Sequence, residues 1–356
     1  MLMPEVHAQK AKVPAKCHGV FALIPWNKTV ETEIWEKDFV DGVTIRTTWG
    51  DLEPEKGKFN WKYLDENFEK AIKHKKYIRI SLAAGYYSPE WILNDKSIEK
   101  LYFDFELPKG LGKTKDETGS FPAPWDKQYQ KHYADFIKQL AARYEVHKNL
   151  AWVSVAGPGS YNDEVSYPRE KEHEKQWLKL ASGDIKKLRK KLLQTWYDMF
   201  HVYDKAFKKT HFSIALVQRS LPVSGKMDIQ QDFQHSLIEY GHKHFPNKFA
   251  VQVNGLDAWP LFPSNGKKLM HHKQHLNKIA PTMLTGYQSR APNKMFPNSR
   301  TGSTAAEKQK IMRYALLKNG LQPGINFIEI YKGDILDKDV SSILRELHLK
   351  LTKANR

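Results

Sequence analysis

The chain has 356 residues, 40% of them hydrophobic, and a formal net charge of +17 at pH 7. This length suits one large domain or two modest ones with a sizeable core. No apolar run approaches the roughly 20 residues that cross a bilayer, so we expect no membrane span. The single cysteine, Cys17, excludes an intramolecular disulfide framework and cannot bind zinc by itself.

The first eight residues, MLMPEVHA, end in a small residue two positions after Val6, as the tail of a truncated secretory signal can. If they are such a tail, we expect a secreted or periplasmic protein, and otherwise a cytoplasmic one. Residues 1–16 are expected to form a disordered or processed N-terminal tail. Neither composition nor pattern predicts an oligomeric state.

The positive charge predicts attraction to nucleic acid, anionic membranes or acidic polysaccharide. The densest basic run, KKLRKKLL at 186–193, has leucines at the spacing of a buried stripe, so its lysines are interpreted as the solvated face of a helix. No RNA-binding aromatic signature, zinc finger or phosphate-binding glycine loop accompanies it. A lysine-rich surface is therefore the simpler interpretation, and a nucleic-acid partner is disfavoured.

Apolar, strand-like runs recur eight times along the chain, at 19–24, 42–49, 77–84, 150–156, 211–217, 248–254, 281–287 and 324–331. The interval 27–40 predicts only a short helix. Helical periodicity occupies most of the other intervals, at 60–74, 126–144, 185–208, 228–244, 266–278 and 304–319, with a last segment at 338–352. The chain therefore alternates strand and helix throughout.

This alternation predicts parallel strands with right-handed crossovers, and closing eight of them gives an α/β fold, the (β/α)8 TIM barrel. We expect residues 1–356 to form one such domain, because no linker or low-complexity segment divides them. A doubly wound open sheet is the alternative, but the first strand lacks the glycine fingerprint of a dinucleotide site. Long insertions at 86–125 and 157–184 follow the third and fourth strands, and loops of this length usually bind or cover something.

Polar and aromatic residues follow the predicted strands at the end where barrels of this class carry their chemistry. Aromatic faces stack on the C–H groups of sugar rings, while carboxylate, amide and guanidinium groups bind sugar hydroxyls. Any one of these tryptophans is better explained as core or loop anchor, but their recurrence at many strand ends favours a carbohydrate site. Besides Trp26, we expect it to include Arg46, Trp49, Glu53, Tyr86, Tyr87, Trp91, Asn254, Trp259, Tyr287, Gln288 and Tyr331.

Carboxylates decide which reaction such a site could perform. Glycoside cleavage requires one protonated carboxyl to donate to the leaving oxygen and one ionised carboxylate to act as nucleophile or base. Asp163 and Glu164 lie on a glycine-bearing loop after the fourth strand, and Glu164 is the candidate general acid/base. The alternative interpretation of Glu164 is a solvent-exposed loop carboxylate.

The residues around the second, third and fourth strands resemble those of a known enzyme group. The segments TTWGDLEPEKGKFNWKYLD (47–65), AGYYSPEWI (84–92), PAPWDKQYQKHYADFIKQLAARY (122–144) and LAWVSVAGPGSYNDEVSYP (150–168) carry the similarity. They resemble the retaining (β/α)8 glycoside hydrolase clan, in particular the β-galactosidase-like family 42 and its relatives. The resemblance implies a retaining two-carboxylate mechanism on a carbohydrate substrate.

Two positions depart from that clan. In most of its members the acid/base glutamate comes directly after an asparagine, whereas here Asp163 separates Asn162 from Glu164. Its nucleophile lies at the end of the seventh strand, where this chain has the neutral Gln288. The nearest alternative nucleophile is Glu329, which interrupts an apolar run on the eighth strand.

The placement of Glu329 among apolar neighbours is costly unless the carboxylate has a partner or a function. We therefore consider it either as the nucleophile or as a buried carboxylate paired with Arg46 or Arg79. Asp163 and Asp334 are the substitute catalytic carboxylates.

Other chemistries have weaker support. His271, His272 and His275 lie in a polar helical stretch without a carboxylate at ligand spacing, so a solvated helix face is favoured over a metal site. Neither a metal nor an organic cofactor is expected. Cys17 precedes the first strand, on the face of the barrel associated with stability, so we do not expect it to be catalytic.

The leading hypothesis is a retaining glycoside hydrolase acting on an oligo- or polysaccharide. If the positive charge has a function, it favours an acidic glycan. The alternative is a non-catalytic carbohydrate-binding barrel, motivated by Gln288 at the end of the seventh strand. A nucleic-acid-binding protein that uses the net charge of +17 is the third possibility.

Overall fold

The structure, a computed structural model, describes residues 13–103, 120–159, 162–168, 171–223, 227–261, 279–296 and 299–353. Eight strands pair in parallel with their neighbours, and the eighth pairs with the first to close a barrel. The predicted (β/α)8 barrel is therefore confirmed. Its strands are β1 (Gly19–Leu23), β2 (Gly42–Thr48), β3 (Tyr77–Ala83), β4 (Leu150–Ser154), β5 (His211–Leu216), β6 (Phe249–Leu256), β7 (Leu284–Ser289) and β8 (Phe327–Tyr331).

Helices follow most strands and form the outer layer. The longer ones are α1 (Thr32–Glu36), α2 (Lys62–Lys73), α3 (Lys127–Tyr144), α4 (Lys171–Lys179), α5 (Ile185–Ala206), α6 (Met227–His244), α7 (Ala305–Met312) and α8 (Ser341–Lys353). A π-helical segment, Arg313–Gly320, continues α7. Single helical turns lie at Ala15–Cys17, Trp49–Leu52, Gly85–Tyr87, Glu90–Leu93, Ala280–Thr282, Pro292–Met295, Ser299–Gly302, Lys332–Ile335 and Lys338–Val340.

Capping side chains fix where the helices begin. Asp126 Oδ1 accepts from the backbone N–H of Tyr129 at 2.8 Å at the start of α3, and Thr304 and Glu307 form a reciprocal capping box at α7. The leucines of the basic run, Leu188 and Leu192, are fully buried in α5, as their spacing predicts. The helix predicted at 266–278 lies outside the described residues.

Both long insertions contain secondary structure where they are described. After β3, the chain forms a two-stranded antiparallel hairpin from Lys100–Tyr102 and Ser120–Pro122. After β4, a loop leads to α4. Both insertions follow the C-terminal ends of their strands, which makes them part of the barrel mouth.

Aromatic rings close the opposite end of the barrel. The ring centroid of Trp152 lies 4.6 Å from that of Phe21 and 4.5 Å from that of Phe327. Cys17 packs against this cluster, and its Sγ–H donates to the backbone oxygen of Ala151 at 3.5 Å. Burial raises the pKa of the Cys17 thiol to about 12, which keeps it protonated and unreactive.

Above this aromatic layer the barrel interior holds an ion-pair network centred on Arg79 of β3. Its Nη1 donates to Glu329 Oε1 at 2.6 Å, and its Nη2 donates to Asp163 Oδ2 at 2.8 Å. Thr44 Oγ1 donates to the same Glu329 oxygen, and Gln252 Nε2 donates to Glu329 Oε2 at 3.3 Å. Of the two arginines considered as partners of Glu329, the structure pairs it with Arg79.

We expect Arg79→Met to lower the free energy of unfolding by about 3–5 kcal/mol, because two carboxylates would lose their counter-ion inside the barrel. Urea denaturation measures this loss. Arg143→Met is the matched control, since Arg143 pairs with Asp65 at a site where the two side chains are 46% and 34% exposed; exposed pairs contribute about 0–1 kcal/mol. Equal losses in the two variants would contradict a central role for Arg79.

His211, the first residue of β5, gives the fold an acid-sensitive position. Its burial, together with Lys16 and Lys248, lowers the pKa of the imidazole from 6.5 to about 4. The folded state therefore resists protonation of His211. The neutral imidazole contributes its full stabilisation above the pKa that His211 has in the unfolded chain, and this stabilisation is lost as the pH falls towards 4.

Between pH 7 and pH 5 we expect the native protein to lose about 2 kcal/mol more of its unfolding free energy than the His211→Gln variant does. Urea titrations of both proteins at the two pH values measure it. Parallel pH dependences for the native protein and the variant would refute this role of His211.

Candidate active site

The loop after β4 carries two carboxylates to the barrel mouth. Gly157 adopts φ +106°, and a Cβ there would lie 2.8 Å from the ring of Tyr133, so the turn requires glycine. Further along, Asn162 Oδ1 accepts from the backbone N–H of Glu164 at 3.0 Å, and the N–H of Val165 donates to the oxygen of Ala215 at 2.9 Å. The first contact lies within the loop, and the second attaches the loop to β5.

Glu164 is half-buried at this mouth. Its Oε1 accepts from Asn254 Nδ2 at 2.8 Å. Asn254 Oδ1 in turn accepts from Gln252 Nε2 at 2.7 Å, and the same amide nitrogen lies 3.3 Å from Glu329 Oε2. A continuous hydrogen-bonded chain therefore connects Glu164 to Glu329 through two side chains of β6.

Asp163 lies on the other side of the same network. Its side chain is 11% exposed, compared with 1% for Glu329. Arg79 bridges the two carboxylates, since its Nη1 and Nη2 each bind one of them. Asp163 uses Oδ2 for Arg79, and its Oδ1 has no hydrogen-bond partner among the described residues.

A cationic and aromatic pair flanks the mouth on the β1–β2 side. The Arg46 guanidinium lies 5.0 Å from the ring centroid of Trp26, and its Nε donates to the oxygen of Ile24 at 2.6 Å. Its Nη atoms make no hydrogen bond to any described residue. Burial lowers the pKa of Arg46, while the nearby Glu329, Tyr331 and Asp163 raise it.

Tyr331 and Gln288 complete the described part of the mouth. Gln288 Nε2 donates to the Tyr331 hydroxyl at 3.3 Å. Burial raises the pKa of Tyr331 to about 12; Arg46 opposes this shift, while Glu164, Glu329 and Asp163 add to it. These electrostatic couplings indicate that the groups from β2, β8 and the loop after β4 converge.

The structure places Trp49 and Glu53 in the core of the loop after β2, and this corrects the expectation that they line the mouth. The Trp49 ring is fully buried, with centroids 5.1 Å from Tyr133 and 5.6 Å from Phe136. Its Nε1 donates to Glu53 Oε2 at 2.8 Å, and Glu53 Oε1 accepts from the N–H of Gly57 at 2.9 Å. Trp49 and Glu53 therefore hold the loop together.

Several other predicted ligands are also buried. Tyr86, Tyr87 and Tyr287 are 1%, 4% and 1% exposed. Trp91 is half-buried and donates its Nε1 to the backbone oxygen of Glu53 at 3.2 Å. The three tyrosines therefore have no open face, which corrects the expectation of sugar platforms there, whereas Trp91 keeps part of its surface exposed.

The remaining predicted residues differ in accessibility. Trp259 is half-buried, and its backbone N–H donates to Asp257 Oδ1 at 3.0 Å. Asp257 also forms an ion pair with Arg290. Asp334 has no exposed surface and lies in the Lys332–Ile335 turn. A substrate therefore cannot reach Asp334 in this conformation, which removes it as a substitute catalytic group.

Sequence reasoning did not include Thr44 or Gln252 in the site and treated Arg79 only as a possible partner of Glu329. Each of the three has an apolar residue on both sides along its strand. Alternate residues of a strand share a face. The alternation of these polar residues with apolar neighbours was therefore the sequence feature that could have indicated their place in the site.

Metal binding and membrane insertion have no support in the described part of the chain. No group of three or more His, Cys, Asp or Glu side chains there is arranged to hold a metal ion. His271, His272 and His275 lie outside the described residues. Nor does any described helix combine the length and apolarity needed to cross a membrane.

Solved structures of carbohydrate-active enzymes share this fold. The catalytic domain of a β-amylase from Paenibacillus polymyxa matches with a TM-score of 0.62 at 10% identity, over 97% of this chain and 100% of that one. A β-galactosidase from the psychrophilic Marinomonas ef1 matches at 0.55 and 9% identity, over 93% of this chain and 59% of that one. Xylanase B from Clostridium stercorarium F9 matches at 0.51 and 10% identity, over 91% and 88%. At these identities the likeness shows the fold alone.

Sequence comparison is more specific. No curated protein matches the chain. The family model of glycoside hydrolase family 42, beta-galactosidase, matches residues 29–213, just over half of the chain. This segment runs from the loop after β1 into β5 and includes Asp163 and Glu164. The chain therefore belongs to glycoside hydrolase family 42, the beta-galactosidase family.

Proposed function

We propose that the protein hydrolyses glycosidic bonds of an oligo- or polysaccharide, with Glu164 as the general acid. The observation that carries this proposal is the position of Glu164, half-buried at the barrel mouth, with one oxygen bound to the neutral amide of Asn254. A partly desolvated carboxyl at the mouth of the barrel can serve as a proton donor. Family membership supports the same reaction class.

Asp163 is the proposed second carboxylate. Its Oδ2 is held by Arg79, and its Oδ1 has no partner among the described residues. Glu329, the nucleophile expected from sequence, is almost completely buried and receives hydrogen bonds on both oxygens. These contacts favour a positioning role for Glu329. Its carboxylate balances part of the charge of Arg79 and holds the guanidinium that orients Asp163.

The reaction then follows the two-step retaining scheme. Glu164 gives its proton to the glycosidic oxygen as the bond from that oxygen to the anomeric carbon breaks, while Asp163 attacks that carbon and forms a glycosyl ester. In the second step Glu164 takes a proton from water, the water oxygen attacks the anomeric carbon, and Asp163 leaves as a carboxylate. Proton NMR of the first product tests retention, since inversion would give the opposite anomer.

We expect Glu164→Gln to lower kcat by about 10²–10⁴ on glycosides with poor leaving groups, because these need protonation to depart. On aryl glycosides with strongly acidic phenols the first step needs no proton, so a much smaller loss of the glycosylation rate is expected. Stopped-flow measurement of phenol release, on a panel of aryl glycosides with different sugars and leaving groups, gives the rates for both kinds of leaving group.

Glu55→Gln is the matched control, since Glu55 lies in the loop after β2 with a 67% exposed side chain paired to Lys58. It should leave both rates unchanged. A loss in Glu164→Gln that does not depend on the leaving group would contradict the acid role.

A non-catalytic carbohydrate-binding barrel is the second candidate, and the neutral Gln288 at the end of β7 favours it. The same panel separates the two functions. An enzyme shows turnover that Glu164→Gln reduces while sugar binding persists, whereas a binding protein shows sugar binding and no turnover in any variant.

An acidic glycan is the proposed substrate class. The Arg46 guanidinium lies at the mouth, stacked near Trp26, with Nη donors that no described residue uses. A planar guanidinium binds a carboxylate through two parallel hydrogen bonds. Arg46 would therefore bind the carboxylate of a uronic acid unit next to the scissile bond.

We expect Arg46→Gln to lower kcat/KM for a uronide roughly 10–100-fold more than for the matching neutral sugar, since a charge-assisted hydrogen bond contributes about 1.5–3 kcal/mol. Steady-state kinetics on the paired substrates measure the ratio. Lys28→Gln, at an exposed position after β1, removes the same charge and should leave the ratio unchanged. Equal losses on both sugars in Arg46→Gln would rule out carboxylate recognition.

A further inference from the structure

A second candidate site lies outside the barrel, in a groove between the N-terminal halves of α3 and α5. Its volume is about 360 Å³. The residues that matter are Trp125, Lys127, Lys187, Lys190, Lys191 and Asp198. The basic run at 186–193 therefore contributes to a concave surface as well as to a solvated helix face.

The charge of this groove is poorly compensated. Lys127 Nζ lies 3.2 Å from Asp198 Oδ2, the only carboxylate among the described lining residues. Lys187, Lys190 and Lys191 form no side-chain ion pair or hydrogen bond with any described residue. Because Lys190 and Lys191 follow Lys187 by three and four positions on one helix, their ammonium groups repel that of Lys187 at a cost that an anionic ligand would remove.

Lys191 is held in place without using its hydrogen-bond donors. Its Nζ lies 3.7 Å from the ring centroid of Trp125, whose own Nε1 donates to Glu99 Oε2 at 2.9 Å. A cation–π contact orients the ammonium while its N–H groups remain available. Burial lowers the pKa of Lys191 and Glu99 raises it, as expected of an ammonium that is partly withdrawn from water.

The groove lies at the same end of the barrel as the mouth. α3 begins where the insertion after β3 ends, and α5 follows the insertion after β4 that carries Asp163 and Glu164. Both helices therefore start at the C-terminal ends of the strands and run away from them. One extended polymer could contact the groove and the mouth together.

We propose that this groove binds an anionic polysaccharide, with its carboxylate groups on Lys187, Lys190 and Lys191. The choice of a polysaccharide rests on the proposed glycosidase function of the neighbouring mouth. Nucleic acid fits less well, because single strands stack their bases on aromatic faces, and the Lys191 ammonium covers one face of Trp125.

The test compares two triple variants of the full chain for binding of an oligogalacturonate. Lys187→Gln/Lys190→Gln/Lys191→Gln removes the groove charges, and Lys205→Gln/Lys208→Gln/Lys209→Gln removes three exposed charges at and just beyond the far end of α5. We expect the first variant to bind roughly tenfold or more weakly than the native chain, because it loses three partly exposed ion pairs with the ligand. Its binding should also depend less steeply on salt concentration. The second should bind like the native chain.

Equal weakening by both variants, or no binding to the native chain, overturns the proposal. Tighter binding of a single-stranded oligodeoxynucleotide of equal charge assigns the groove to nucleic acid and overturns it as well. Turnover of a short aryl glycoside is measured in parallel and should be unchanged in the groove variant. If that turnover is absent in the native chain while the groove variant still loses binding, the proposed function fails and the groove site stands.

Discussion

A buried guanidinium organises the mouth of this barrel. Arg79 is 1% exposed, so its charge must be balanced inside the protein, and Glu329 and Asp163 do so by accepting from its Nη1 and Nη2. Removing one member would leave an uncompensated charge in a region of low polarity, a cost of several kcal/mol. Asp163 is thereby held in one orientation although it lies on a long loop.

The same constraint extends to the proposed acid. From Asp163 the hydrogen bonds run through Arg79, Glu329, Gln252 and Asn254 to Glu164. Both carboxylates of the loop are thus tied to rigid strands of the barrel. Preorganisation of this kind holds reacting groups in place before the substrate arrives. In the proposed mechanism a carboxylate as deeply buried as Glu329 acts by holding Arg79 and Asp163 in place, without touching the sugar.

The fold was predictable because eight alternations of strand and helix permit few topologies, and each strand lies within a few residues of its expected place. The roles of individual side chains were less predictable. Trp49 follows a strand as a cleft residue would, but the turn Trp49–Leu52 directs its ring into the core. The partner of Glu329 depended on strand register, which one sequence does not specify. Arg46, Asp163, Glu164, Asn254 and Tyr331 stay predictions for the site; all five lie at or just past strand ends, which is why the sequence pointed to them.

The most direct test of this account is a crystal structure of Glu164→Gln with an uncleaved oligosaccharide bound. If Glu164 is the acid and Asp163 the nucleophile, the glycosidic oxygen lies within hydrogen-bond distance of the amide at position 164, and Asp163 Oδ1 faces the anomeric carbon. Glu329 should keep its contacts with Arg79, Thr44 and Gln252 and should not touch the sugar. A structure in which Glu329 leaves Arg79 and approaches the anomeric carbon would contradict this account.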